Sequence, residues 1–328
     1  MKKLRVGLLG CGGIARRHAA AIGTLSEQAQ LVACCGRDAS KVTAFASEFG
    51  AKPHVDLQRM LDSAALDLLI VALPPYAHAG QVEAAARAGV HLLVEKPIAL
   101  DMQRASAMVE AARSAGVVAA CGFMYRFGDA VLRWDAAAAA GETGRAGFFV
   151  GQFHCNALHA DWWRSLEKSG GQMVEQLIHI VDLARHSLGM PQTVYAKAAN
   201  LFHGNVERYT GEDVSAIVLG YDDGRIGVLH ASNAAIPGRW MKSWQIVAER
   251  ATCLFSDWNN AEIVSTSGEP RSETVAGTTD PFVAQLTDLV SAIRERRPPL
   301  VPLSDGLETL RIVLAARQSA DEGREIVL

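Results

Sequence analysis

The sequence predicts an α/β domain with a doubly wound parallel sheet, followed by a domain built on a mixed, mostly antiparallel open sheet. Short apolar runs alternate with helical patterns from Leu4 to Cys121, the mark of parallel strands joined by right-handed crossovers. From Gly147 onward, strand patterns dominate, with a hairpin turn signal at Tyr221-Asp222-Asp223-Gly224-Arg225. A length of 328 residues exceeds the usual single core and fits two medium domains. The expected boundaries are 1–123 for the parallel-sheet domain and 124–303 for the open-sheet domain, with 304–328 a helix returning to the first domain.

The elements of the first half follow in order. Leu4–Leu9 is an apolar run suited to a buried parallel strand. Gly10-Cys11-Gly12-Gly13-Ile14-Ala15 comes next, opening a helix from Ile14 to about Ile22. Strand, glycine turn and helix in this order are the context that a GxGxx(G/A) phosphate-binding turn demands. Gly10 permits the tight turn, Gly12 lets a pyrophosphate approach the backbone, and Ala15 allows close helix–strand packing. The backbone around Cys11, Gly13 and Ile14 presents free N–H groups at the helix N-terminus. Further strands are expected at Gln30–Cys35, Leu66–Leu73, Val90–Val94 and Val117–Cys121. Helices are expected at Ser40–Phe49, Tyr76–Ala88 and Met102–Ala115. Such a chain is an NAD(P)-binding Rossmann domain, whose ligands lie beyond the carboxyl ends of the strands.

The end of the second strand selects the cofactor. An acid there binds the ribose 2′-hydroxyl of NAD, whereas this chain has Gly36-Arg37. The planar fork of Arg37 suits a 2′-phosphate, and Gly36 leaves room for it, so NADP is favoured with NAD as the alternative. Asp38 is placed to cap the helix that starts near Ser40.

Composition excludes several classes. Hydrophobic residues at 49% and charged residues at 20% argue against wholesale disorder. A net charge of −3 and a pI near 6.4 give no basic footprint for nucleic acid. No run of about eighteen apolar residues suggests a membrane span. The six cysteines form no CxxC pair and no metal spacing, and His154 and His159 have no metal-ligand spacing either. The cysteines read as buried hydrophobes of a reducing compartment, and the apolar run after Met1-Lys2-Lys3 is too short for a signal peptide. A cytoplasmic protein with no metal, no nucleic acid and no membrane partner is expected.

Two more strand ends stand out. Leu73-Pro74-Pro75-Tyr76-Ala77-His78 ends one strand, and Glu95-Lys96-Pro97 ends the next. Together with the glycine turn, these resemble the Gfo/Idh/MocA family, which includes glucose–fructose oxidoreductase and inositol dehydrogenases. A third segment, Gly170-Gly171-Gln172-Met173-Val174-Glu175-Gln176-Leu177-Ile178-His179-Ile180-Val181-Asp182, resembles the family's glycine-rich turn and catalytic helix. It departs from the pattern in having Ser169 for a third glycine and Glu175 for the more usual Asp. The resemblance runs from Val6 to the last helices.

The resemblance implies an NAD(P)-dependent oxidoreductase that moves hydride between nicotinamide and a CHOH/C=O carbon of a sugar, polyol or sugar derivative. Alternatives within it are a redox-neutral glycosidase-type reaction and a non-catalytic dinucleotide-binding sensor. It implies cofactor contacts from Leu73, Pro74, Pro75, His78, Glu95, Lys96 and Pro97, and a homodimer or homotetramer formed through the open sheet face. Glu175, His179 and Asp182 stand at i, i+4 and i+7 on one helix face, which the resemblance places beside the nicotinamide. Oxidising a carbinol also requires moving its proton, for which an imidazole suits. His179 is the expected proton acceptor, Glu175 its orienting or hydroxyl-binding neighbour, and Lys96 the cation on the reacting oxygen. A cis Lys96–Pro97 bond would aim that lysine inward. The blander readings are a core histidine and a surface lysine.

Further candidates are Trp163 and Arg164 for the cofactor, with aromatic loop packing as the alternative. Arg126 is a candidate cofactor or substrate contact, with an interdomain salt bridge as the alternative, and its neighbour Tyr125 is a candidate for the substrate. Trp240 would line the sugar pocket or an oligomer face. The second half is expected to hold a helix at Phe127–Ala140 and strands at Gly147–His154, Thr193–Asn200, Asp213–Gly220, Ile226–Ser232, Ser243–Ala248 and Ala251–Phe255. Amphipathic helices at Asp280–Arg296 and Ser304–Gln318 close the chain.

Overall fold

The computed structural model describes residues 2–158, 160–269 and 271–328, which leaves His159 outside the described residues. The chain forms two compact units, Met1–Met124 with Asp280–Leu307, and Tyr125–Thr279 with Glu308–Leu328.

The first unit runs β1 (Leu4–Leu9), α1 (Gly13–Thr24), β2 (Ala29–Cys35), α2 (Ala39–Phe49), β3 (Lys52–His54), α3 (Leu57–Ala64), β4 (Leu68–Val71), α4 (Gln81–Arg87), β5 (His91–Val94), α5 (Met102–Ala115) and β6 (Ala119–Cys121). Its six strands are all parallel, in the order β3-β2-β1-β4-β5-β6. All four residues of β4 are fully buried, as a parallel strand covered on both faces must be. Asp38, Asp56 and Asp101 cap α2, α3 and α5 through backbone N–H groups of their first turns. The predicted helix over 76–88 is broken. A single 3₁₀ turn, Pro75–Ala77, is followed by Gly80 at φ +102°, and α4 starts only at Gln81. No α-helix continues through that left-handed residue.

A 3₁₀ turn over Met124–Phe127, of which Tyr125 is the first residue of the second unit, leads into α6 (Asp129–Ala139). Then come β7 (Ala146–His154), α7 (Asp161–Arg164), α8 (Leu166–Ser169), a π-helical turn (Met173–Leu177) and α9 (Ile178–Leu188). Strands β8 (Thr193–Ala199), β9 (Val214–Gly220), β10 (Ile226–Ser232), β11 (Met241–Ala248), β12 (Ala251–Phe255), β13 (Asn260–Ser265) and β14 (Ser272–Ala276) complete most of its sheet. After them lie α10 (Pro281–Glu295), α11 (Leu303–Glu322) and β15 (Ile326–Val327). The sheet order is β14-β13-β12-β11-β7-β10-β9-β8-β15, antiparallel except for the β7–β10 pair. Alternate residues Phe149, Gly151 and Phe153 of β7 are buried. Helix α9 lies so close over them that a Cβ on Gly151 would run into Ile180.

The sequence missed β3, α3, β13, β14 and β15. β3 and β15 are too short to show a period, and β3 contains Pro53, tolerated at a sheet edge. The expected domain boundaries also need correction at the C-terminal side. It is α10, not the last helix, that belongs to the first unit. Phe282, Leu286, Leu289 and Val290 form a stripe buried in the same core as Ala15, Ala19 and Ile22 of α1. Gln285 adds a 3.0 Å hydrogen bond from Nε2 to the Cys121 carbonyl. From Glu308 onward α11 belongs to the second unit, where Ser319 Oγ accepts from Ala196 N–H at 2.9 Å and Ile326 pairs with Val194.

Leu286 is fully buried in the α1–α10 core. Leu286→Ala is therefore expected to cost about 2–5 kcal/mol. Urea unfolding checks this, and an unchanged midpoint would show that α10 does not support the first unit.

Candidate active site

In the first unit the strand register aligns four carboxyl ends. Leu9 pairs with Val71, Val71 with Val94, and Val94 with Cys121. The next residues stay in line: Ala72 N–H donates to Leu9 O, Glu95 N–H to Val71 O and Gly122 N–H to Val94 O, at 2.8–2.9 Å. Gly10, Leu73, Pro74, Pro75, Glu95, Lys96 and Pro97 thus gather along one sheet edge. The strand order reverses between β1 and β4, which makes their ends the switch point where such sheets take ligands.

Gly10 has φ +101°, and a Cβ there would run into the Ala72 carbonyl, so the turn requires glycine. Gly12 and Gly13 differ: a Cβ at either meets nothing within 4 Å. Gly12 is the N-cap of α1 and provides no side-chain cap, and the first turn holds no acid. The α1 N–H groups are thus left for a ligand, unlike those of the aspartate-capped helices. A dinucleotide phosphate fits this bare helix start. Arg37 is exposed, and Asp38 caps α2 as expected, accepting from Ser40 and Lys41 N–H. Gly36 has a packing role as well. A Cβ there would meet Val42 Cγ2 at 2.9 Å, so close packing on α2 also favours this glycine.

Glu95 is buried and bonded to His18 of α1 at 2.7 Å, Nε2 to Oε1. A Cβ on Gly122 would meet its Oε2 at 2.8 Å. Glu95 therefore braces β5 against α1, and its carboxylate is not open to a cofactor. Lys96 is half-buried, and its bond to Pro97 is cis, as expected. His78 is buried, and neither ring nitrogen has a hydrogen-bond partner among the described residues. Burial, helped by the nearby positive charge of Arg104, lowers its pKa from 6.5 to about 4.

The second unit carries the rest of the predicted site. Glu175 sits in the π-helical turn and His179 in the first turn of α9. The 3₁₀ turn Met124–Phe127 faces this helix. Tyr125 stacks on His179 with centroids 4.4 Å apart, while Arg126 binds Asp182 through two hydrogen bonds of 2.7 and 2.5 Å. His179 and Asp182 thus share a face, as their spacing predicts. Glu175 adds to it, since its charge assists burial in raising the Tyr125 pKa.

Several assignments change here. Arg126 is 4% exposed and its guanidinium is engaged by Asp182, so the pair is internal to this unit and Arg126 offers no open cofactor contact. Tyr125 is buried between His179 and Trp258, the latter 4.7 Å away, so both faces of its ring are covered. Arg164 turns back onto the Leu158 carbonyl through Nε and a terminal nitrogen. Trp163 and Trp240 do come together, stacked at 5.7 Å and 7°. Gly170 and Gly171 have φ of +79° and +85°, and Ser169 Oγ accepts from Gly171 N–H at 3.0 Å. A Cβ on Gly171 would overlap the Glu212 carboxylate, which is paired with Arg317.

Sequence reasoning missed His18, Lys242, Trp258 and Cys155. His18 was legible as a polar residue on the buried stripe of α1 with Ala15, Ala19 and Ile22. Lys242 has the parity of buried Trp244 and Ile246 on β11. Its ammonium lies 4.7 Å from the Trp258 ring centroid. Cys155 is fully buried, and its single S–H has two alternative acceptors, Gln176 Oε1 at 3.3 Å and Asn233 Oδ1 at 3.1 Å. All six cysteines are free thiols. Among the described residues no group of three or more His, Cys, Asp or Glu is placed to hold a metal ion.

Comparison with known proteins agrees with this geometry. Residues 4–123 match the oxidoreductase family with an NAD-binding Rossmann fold, and residues 131–254 match the GFO/IDH/MocA C-terminal domain. The chain belongs to the Gfo/Idh/MocA family of oxidoreductases. It is 28% identical to D-apiose dehydrogenase of Paraburkholderia graminis, over all of this chain and 90% of that protein. It is 23% identical to scyllo-inositol 2-dehydrogenase (NAD(+)) of Bacillus subtilis, over 99% of this chain and 96% of that one. Among solved structures, the WlbA dehydrogenase of Bordetella pertussis, in complex with NADH and UDP-GlcNAcA, superposes with a TM-score of 0.85 at 26% identity, covering 100% and 99% of the two chains.

The low pKa of His78 makes stability depend on pH. Below pH 6.5 the unfolded chain takes up a proton that the folded site refuses until about pH 4. Stability is therefore expected to fall as pH drops through that window, at most by about 1.4 kcal/mol per pH unit from this residue. His78→Leu should flatten the curve of melting temperature against pH there. Parallel curves for the two proteins would remove His78 from the account.

Proposed function

We propose that this protein oxidises a carbinol carbon of a sugar, polyol or sugar derivative, or reduces the matching carbonyl, with a nicotinamide cofactor. The observation that carries the reading is the bare start of α1 at the switch point, with open space over Gly12 and Gly13. The backbone of Gly10, Cys11, Gly12, Gly13 and Ile14 holds the pyrophosphate. Leu73, Pro74, Pro75 and His78 border the cofactor. Arg37, exposed at the end of β2, takes the 2′-phosphate of NADP. The NAD(+) in the name of the inositol relative makes NAD the alternative.

When bound, the cofactor supplies the hydride acceptor. His179 takes the hydroxyl proton as the carbon is oxidised and returns it in the reverse direction. Lys96 hydrogen-bonds the reacting oxygen and stabilises its developing negative charge. Glu175 holds His179 in orientation or binds a neighbouring hydroxyl. Trp163 and Trp240, stacked on one another, line the sugar site.

A homodimer or homotetramer forms through the uncovered face of the nine-stranded sheet. Phe148, Val218, Ile226 and Leu254 expose 39–44% of their surface there, an apolar set that a partner would cover. The six free thiols fit the reducing cytoplasm. Among the described residues no helix is long and apolar enough to cross a membrane.

One thermal-shift and turnover series tests the enzyme reading. NADPH is expected to raise the melting temperature more than NADH does, because a ligand that binds only the folded state stabilises it. Lys96→Ala should keep that shift while losing at least about 100-fold in turnover of the best sugar or polyol. Full turnover in Lys96→Ala would refute its role, and a larger shift with NADH would refute the phosphate role of Arg37. Light scattering should return the mass of two or four chains, and a monomer would exclude assembly through the sheet.

A further inference from the structure

The second unit holds a cation that none of these steps uses. Lys242 lies on β11 in step with Trp244, Ile246 and Ala248, all buried, so its side chain runs along the helix-covered face of the sheet. Its ammonium stands 4.7 Å from the ring centroid of Trp258 and 5.9 Å from that of Tyr125. Tyr125 stacks in turn on His179. Lys242, Trp258, Tyr125 and His179 thus form one continuous series.

No carboxylate among the described residues pairs with this ammonium. Asp257 acts on it only at a distance, and the Asp257 carboxylate already accepts from Asn259 and Asn260 N–H and from Asn260 Nδ2. Cys155, the other group that favours its charge, has a thiol pushed up to about 11 and is neutral at ordinary pH. Burial lowers the Lys242 pKa, so the surroundings oppose the charge. The aromatic faces offset part of that cost. A bound anion would offset more, through a charge-assisted hydrogen bond in a poorly hydrated place.

We propose that Lys242 receives an anionic group of the substrate, a carboxylate or a phosphate ester, on the sugar whose carbinol reacts at His179. The proposal rests on the oxidoreductase reading above and narrows its substrates to acidic sugars. A neutral polyol would leave the ammonium without a counter-charge. The ammonium lies beside the rings of Trp258 and Tyr125, and this aromatic setting helps define the position of the charge.

The test uses the cofactor-loaded protein and matched sets: glucose, glucuronate and glucose 6-phosphate, then galactose, galacturonate and galactose 6-phosphate. The expected result is an anionic member preferred at least tenfold in kcat/KM. That ratio should fall at least tenfold in Lys242→Met and persist in Lys242→Arg, which keeps the charge and controls for folding. Preference for glucuronate or galacturonate identifies a carboxylate, and preference for a 6-phosphate identifies a phosphate ester. A preference for the neutral sugars, or a ratio unchanged in Lys242→Met, overturns the proposal while the oxidoreductase reading stands. Calorimetric titration with the same sugars separates the two ideas. Anion binding that disappears in Lys242→Met, with no turnover of any sugar, supports Lys242 and sinks the oxidoreductase reading. Absence of both binding and turnover of every anionic sugar overturns the proposal.

Discussion

The arrangement of the second unit depends on one buried ion pair. Arg126 and Asp182 are 4% and 1% exposed, and removing two charges from water costs several kcal/mol each unless they are fully bonded. Here both carboxylate oxygens are used. Arg126 takes one each with Nε and a terminal nitrogen, and Thr309 Oγ1 donates to Oδ1 at 3.1 Å. Arg185 lies 3.7 Å from the same oxygen and donates to Thr309. The network fastens the turn Met124–Phe127 to α9 and to α11. Because Tyr125 precedes Arg126, its ring is carried onto His179, and the imidazole gains a fixed stacking neighbour. Packing alone would tolerate slippage of a turn, whereas a bidentate pair tolerates little.

The two units prepare for ligands in opposite ways. In the first, the ligand-facing feature is something left undone: α1 lacks the aspartate cap that α2, α3, α5 and α10 all possess. In the second, the groups are positioned by contact, through stacked rings and a π-helical turn that places Glu175 one irregular turn before His179. Helix irregularities of this kind recur at functional sites because they re-aim side chains that a regular helix would point elsewhere. Glu95 and His18 act between these extremes, spending a carboxylate that motif reasoning gave to the cofactor on joining β5 to α1.

Much of the first unit was legible because its signals are local. Apolar runs without interruption became β1, β4 and β5, and Gly116 stands where the helix expected at Met102–Ala115 ends. The break at Gly80 was not legible, since a glycine within a polar stretch reads equally as a helix residue. The spacing of Glu175, His179 and Asp182 was readable, but their partners were not. Tyr125 and Trp258 come from distant parts of the chain, and pairing between remote residues leaves no periodic trace. The use of Arg126 was hidden for the same reason. Lys242 carried a faint signal, a charge on the inward parity of a strand, which the alternation rule would have flagged.

The nine-stranded sheet ends differently from how it presents its faces. At one side the two residues of β15 pair with β8, so part of that outer strand already has its hydrogen-bonding partner. At the other, β14 reads Ser-Glu-Thr-Val-Ala, and its Glu273 is tied to Arg133. A polar, charged border is poor at templating another strand. Growth by adding strands from other molecules is thereby discouraged, so the assembly proposed above would have to use the sheet face, where Phe148, Val218, Ile226 and Leu254 are exposed. Face-to-face pairing closes on itself after a few copies, whereas border-to-border pairing propagates, so this distribution of charge favours a finite particle over a fibre.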